Sequence, residues 1–258
     1  MADGTSTMTN NTANMADDKP IPHIHLLLMA DGLSEAFDAA RLEHNLAPSV
    51  SVEVHRGALQ FLPSSTRLDL LVSPANSYGL MDGGFDDALS RALAPVDDYL
   101  ALTRIAQARL YQEWRGFAPP GTCTLLRIPD EWEQRSNNAW GARYVAICPT
   151  MRLPQDATWD REVVYECVWS LLCAIDRHNR SGEPRIRSIL MTPLATGVGR
   201  VSAERWAQQL VLALNHFLDA LERPELWRAL TPSAVDDFAS AVAETWDLER
   251  RGLRSEYS

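Results

Sequence analysis

Residues 68–93 constrain this chain more than any other stretch. Leu68-Asp69-Leu70-Leu71-Val72 is a short apolar run of the kind that makes a buried strand. Ser73–Ala88 follows as S-P-A-N-S-Y-G-L-M-D-G-G-F-D-D-A and carries Pro74, Asn76, Gly79, Gly83 and Gly84. From Asp87 and Ala88 to Leu93 the pattern is helical. A strand that ends in a glycine-rich turn and enters a helix is the repeating unit of an α/β sheet. Such a sheet places anionic or nucleotide ligands at that turn. Glycines let backbone N–H groups approach a phosphate, and the helix N-terminus adds partial positive charge. A tight connection with no ligand is the plainer alternative for one such turn alone.

The chain has a second turn of this kind. Ser188–Thr192 reads as a strand, and Pro193-Leu194-Ala195-Thr196-Gly197-Val198-Gly199-Arg200 leaves it. Ser202–Leu221 is then a long amphipathic helix, with Ser202 as its cap and Glu204 in its first turn. The remaining elements alternate in the same manner. Ile21–Met29 reads as a strand, Leu33–Asn45 as a helix and Val50–Val54 as a strand, a βαβ unit. Tyr99–Trp114 is helical, Thr122–Ile128 β-like, 130–142 a hairpin-like excursion or loop, Arg143–Cys148 a strand and Trp159–His178 a helix. The fold class is α/β, with a mixed, mostly parallel sheet between helices. Residues 1–20 have almost no apolar content and read as a disordered tail. Residues 21–221 make the domain. Residues 222–258 read as a helical extension packed on it, with Trp227, Phe238 and Trp246 as packing residues and the last residues frayed.

Composition narrows the partners. With 258 residues and 46% hydrophobic content a sizeable core is expected. The formal net charge of −10 argues against capture of nucleic acid or an anionic membrane. A diphosphate remains possible, since backbone amides hold one without lysines. No apolar run approaches a membrane span, and the first residues lack the features of a targeting peptide, so a cytoplasmic location is expected. Cys123, Cys148, Cys167 and Cys173 form no C-x-x-C and read as buried free thiols. His23 and His25 share one strand face; a metal pair is conceivable, but no third ligand is expected nearby, so they read as surface or rim residues. Neither a metal nor a cofactor is expected.

Asp31 lies just past the first strand. In nucleotide-binding βαβ units an acid there accepts hydrogen bonds from ribose or an adenine amino group; capping of the next helix is the equal alternative.

The first turn resembles the first signature loop of macrodomains, which bind ADP-ribose. Asn76 matches the family asparagine, Gly83 and Gly84 the glycines, and Phe85 and Asp86 the apolar–acidic pair. Thr196, Gly197 and Val198 resemble the family's second loop, which wraps the diphosphate. P-G-T-C-T-L-L-R-I-P and A-R-Y-V-A-I-C-P-T-M-R-L-P resemble a middle strand pair of a bacterial and phage-like subgroup, with Pro149 and Thr150 near the cleft. The resemblance implies a three-layer sandwich over residues 21–221. Asn76 then holds the distal ribose, and Asp86 positions water at the anomeric carbon; helix capping is the alternative role for Asp86. It also implies an ADP-ribosyl hydrolase or a phosphatase of ADP-ribose 1″-phosphate acting on ADP-ribose derivatives or ADP-ribosylated protein. A non-catalytic reader or interaction module is the alternative. Two departures stand out. Ala58 occupies the place of the usual adenine-binding acid, and Gly199-Arg200 replaces an aromatic–glycine pair, with Arg200 a candidate phosphate ligand or a solvated cation at the helix entry.

Overall fold

A computed structural model describes residues 19–247. The expected tail, 1–20, and the frayed end fall almost wholly outside that range. Six strands form one sheet: β1 (His23–Leu28), β2 (Val52–Arg56), β3 (Leu70–Ser73), β4 (Thr124–Arg127), β5 (Tyr144–Ile147) and β6 (Ser188–Met191). Their spatial order is β2-β1-β6-β3-β5-β4, and every pairing is parallel except β5 with β4. The central strands are the apolar runs. β3 and β5 are buried throughout, as expected of strands covered on both faces. Edge strand β2 is mostly exposed.

Helices cover both faces and give two cores. Against one face pack α1 (Leu33–Glu43), α4 (Val163–Asn179) and α5 (Ala203–Glu222), with Phe37, Leu171, Trp206 and Phe217 among Ile24, Leu26 and Ile189. Against the other pack α2 (Gly84–Leu93) and α3 (Ala101–Trp114), with Phe85, Leu89 and Leu102 among Leu71 and Val145. The architecture is therefore α/β in three layers.

Local chemistry sets several boundaries. The Ser202 side chain accepts from the Arg205 N–H, the expected cap of α5. α2 begins at Gly84, three to four residues before the expected helix. Gly84 adopts a left-handed φ of 56°, and burial of Phe85 draws the first turn onto the sheet. Of the two readings of residues 130–142, the loop holds and the hairpin does not. These residues form a short 3₁₀ turn, Asp130–Trp132, and an irregular segment anchored by buried Trp132 and Trp140. α6 (Pro224–Arg228) and α7 (Pro232–Ala243) lie beside α4 and α5. Trp227 stacks on Trp169 with centroids 5.4 Å apart and meets Phe238 at 4.6 Å. Cys123, Cys148 and Cys167 are buried free thiols, and Cys173 is half-buried. No described helix is long and apolar enough to cross a membrane.

Candidate functional site

Because β2, β1, β6, β3 and β5 run parallel, their carboxyl ends share one edge of the sheet. The segments expected to hold a ligand leave the sheet there: Gly57–Ala58 after β2, Asp31 after β1, Thr196–Arg200 after β6, Asn76–Asp86 after β3, and Pro149–Thr150 after β5. The two glycine turns follow neighbouring strands, β6 and β3. Backbone bonds fasten the β3 and β5 turns together, Thr150 N–H to Ala75 C=O at 3.0 Å and Ser77 N–H to Met151 C=O at 3.0 Å. The β6 turn reaches the same point. A Cβ on Gly199 would lie 3.1 Å from Met151 Cε and 2.5 Å from Ala195 O, so this position has room only for glycine.

Asn76 is 8% exposed and organises its own loop. Its Oδ1 accepts from the N–H groups of Tyr78 (3.0 Å) and Leu80 (3.3 Å), and its Nδ2 donates to Leu80 C=O (2.9 Å). One N–H of the amide remains to offer a ligand, fewer groups than a free asparagine carries. Gly83 is extended and precedes α2, whose N-terminus has no side-chain cap. The first N–H groups of α2 therefore face the edge without a capping side chain. The Phe85 side chain lies in the apolar core, so this residue offers the edge its backbone.

Asp86 is not a cap. It lies in the first turn of α2, is 6% exposed, and accepts a 2.6 Å hydrogen bond from the Ser73 hydroxyl at the end of β3. Burial, opposed by the Ser73 bond and aided by the charge of Asp82, pushes its carboxyl up to about 7. A carboxyl that changes charge near neutrality is suited to proton transfer. Ser73 escaped the sequence reading. Its signal, a hydroxyl closing an apolar run thirteen positions before an acid, has meaning only once α2 folds back over β3.

In the second turn the Thr196 hydroxyl donates to Pro193 C=O at 3.1 Å, while Gly197 and Val198 are exposed, Val198 at 62%. Ala195 and Arg200 both hold left-handed φ, 60° and 58°. Two nested bonds, Arg200 N–H to Gly197 C=O inside Val201 N–H to Ala195 C=O, close the turn. Arg200 is exposed, and its charge helps hold Asp156 below the usual carboxylate range, after two hydrogen bonds from Thr158. Pro149 and Thr150 are buried, and the Thr150 hydroxyl has no protein partner.

At the β1–β2 end, a cavity of about 160 Å³ is lined by Asp31, Gly32, Ser34, Glu35, Arg56 and Gly57 among others. The residue preceding α1 is Gly32, with no side-chain cap, so Asp31 is not a cap either. Arg56, whose Nη2 donates to Ser34 Oγ at 3.0 Å, is a polar group of this cavity that the sequence reading missed. Ala58 leaves the β2 side without an acid. A larger cavity, about 680 Å³, opens beside β4 and the amino end of β5, away from the glycine turns.

The chain is similar to solved macrodomains. One is the Oceanobacillus iheyensis macrodomain with ADP, at 19% identity and a TM-score of 0.44, covering 59% of this chain and 73% of that one. Another is the same macrodomain with MES bound, with the same values. A glycine-to-valine variant of it with ADPR aligns at 20% identity and a TM-score of 0.42, over 58% of this chain and 73% of that one. No protein-family model and no curated protein matches the sequence.

Proposed function

We propose that this chain binds ADP-ribose or an ADP-ribosyl group along the carboxyl edge of its sheet and hydrolyses it from a protein or a small-molecule derivative. The observation that carries the proposal is the meeting of the two glycine turns, on adjacent strands, over Met151. The nucleoside end lies at the Asp31–Arg56 cavity, three strands from the Pro149–Thr150 segment. The diphosphate lies on the Thr196, Gly197, Val198 and Gly199 amides and the uncapped start of α2 at Gly83, Gly84 and Phe85. Arg200 stands at the rim as a cation for a phosphate oxygen. The distal sugar then falls to the Asn76 loop, where the remaining amide N–H donates to a ribose hydroxyl.

For hydrolysis, water attacks the anomeric carbon and the bond from that carbon to the acceptor group breaks. Asp86 takes the proton of the water, and the positive charge developing on the sugar is stabilised by the carboxylate. Its position near pH 7 supports that role. A non-catalytic reader is the second reading. It is favoured by the internal hydrogen bonds of Asn76 and by Gly199 in the place of an aromatic.

Calorimetric titration with ADP-ribose, AMP and NAD tests binding. ADP-ribose is expected to bind tightest, and no heat with any of the three sinks the proposal. Incubation with mono-ADP-ribosylated protein and with ADP-ribose 1″-phosphate then separates the readings. Product above buffer supports hydrolysis; binding without product leaves the reader.

A further inference from the structure

The edge strands carry a second group of chemistry-bearing side chains, apart from the glycine turns. β1 and β2 pair in parallel with His25 opposite Glu53 and Leu27 opposite His55. Alternation therefore brings His23, His25, Glu53 and His55 to one face of the sheet. His23 Nε2 lies 3.5 Å from Glu53 Oε2, and His25 Nδ1 lies 3.6 Å from the same oxygen. His55 Nε2 lies 3.6 Å from Glu53 Oε1 and 2.8 Å from His25 Nδ1. One ligand atom from each of His23, His25 and Glu53 falls within 4.8 Å of the others. The sequence expectation that no third ligand accompanies His23 and His25 is thus overturned. The two further donors come from a strand 28–32 residues away, which strand pairing alone brings near.

We propose that His23, His25, Glu53 and His55 form a binding site for a zinc-class divalent transition ion that fastens β2 to β1. Imidazole nitrogens with one carboxylate oxygen are donors of the right type. Ligands about 2.0–2.1 Å from a tetrahedral zinc stand roughly 3.3 Å apart. The His23 and His25 contacts to Glu53 Oε2, 3.5 and 3.6 Å, are within a few tenths of an ångström of that spacing, while His55 meets the other oxygen, Oε1, at 3.6 Å and reaches the same ion by a small turn of the carboxylate. The His25–His55 pair must open by about half an ångström, exchanging its N–H···N bond for two metal bonds. The surroundings match a ligand shell as well. Ser51 Oγ lies 2.7 Å from His23 Nδ1, so with the proton on Nδ1 the ring is oriented and Nε2 is left as a lone pair toward Glu53. His25 is 7% exposed and fixed, whereas the Glu53 side chain is 56% exposed, which gives the ion an entry path. His25 lies three residues, about 10 Å, before the end of β1, and His55, next to the cavity residue Arg56, points to the opposite face of β2, since Arg56 turns to Ser34 of α1. The ion therefore supports the strands that carry the Asp31–Arg56 cavity and does not touch a ligand in it.

The test uses the full chain, free of affinity tag and stripped with a chelator, titrated with zinc chloride and separately with cobalt chloride. One zinc per chain is expected, with a rise of several degrees in melting temperature and the visible absorption of tetrahedral cobalt. Glu53→Gln, an exposed and conservative change, is expected to weaken binding at least tenfold, and His55→Gln likewise. Ser51→Ala is expected to weaken it about tenfold. Absence of saturable binding at one ion per chain overturns the proposal. So does undiminished binding in the Glu53→Gln/His55→Gln double variant with its fold intact by circular dichroism. ADP-ribose binding is measured on the same samples and is expected to survive both changes.

Discussion

Replacing Asp86 with asparagine keeps the shape of the side chain and removes its charge, so it isolates the electrostatic consequence of burial. An unfolded aspartate releases its proton near pH 4, whereas the folded carboxyl holds it to about 7. Between those values the folded chain binds more protons than the unfolded chain. Its stability must fall as pH rises through that window and level off above it. At about 1.4 kcal/mol per pH unit, the contribution of this one group reaches about 4 kcal/mol at pH 8. Asparagine keeps an acceptor for the Ser73 hydroxyl at the cost of about 1 kcal/mol for the weaker, uncharged bond. Asp86→Asn is therefore expected to be more stable than the parent by about 3 kcal/mol at pH 8, a rise of roughly 6–12 °C for a chain of this size. At pH 5 the two should melt within a degree or two of each other. Burial also raises Glu162 and Glu166, but both proteins share those groups and the difference between melting curves removes them. Urea or thermal unfolding of both proteins from pH 5 to 8 measures the effect. Parallel curves across that range, or a variant less stable at pH 8, would refute the reasoning. Release of ADP-ribose by the variant is expected to fall at least a hundredfold, a loss of activity with a gain in stability.

Three other outcomes follow from the same geometry. Asn76→Ala removes three hydrogen bonds that shape the 76–80 loop and should weaken ADP-ribose binding at least tenfold by calorimetry, with a stability loss of about 1–3 kcal/mol in urea. Gly199→Ala drives a methyl group against Ala195 O, which should cost about 1–3 kcal/mol on melting and deform the turn proposed to hold the diphosphate, weakening ADP and ADP-ribose alike. Asp31→Ala alters only the cavity at the nucleoside end. Titrations should show AMP and ADP-ribose losing affinity by a similar factor, with ribose 5-phosphate unchanged and thermal stability shifted by less than about 0.5 kcal/mol.

Local chemistry in the chain was enough to reveal the elements. Apolar runs such as Leu70-Leu71-Val72, the 3.6-residue periodicity of 163–179 and the Ser202 cap act over a few residues, so they can be read without knowing the fold. The glycine turns are legible for the same reason, since Gly84 and Gly199 answer to backbone geometry and close approach at their own positions. Which residues meet was decided by tertiary structure. Ser73 meets Asp86 only because α2 folds over β3, and that contact turned an acid open to a capping role into a buried one with a raised affinity for its proton. Glu53 and His55 reach His23 and His25 only because β2 pairs with β1 in one register of several that alternation alone allows. Strand order and register depend on packing between segments distant along the chain, and no local pattern records that choice.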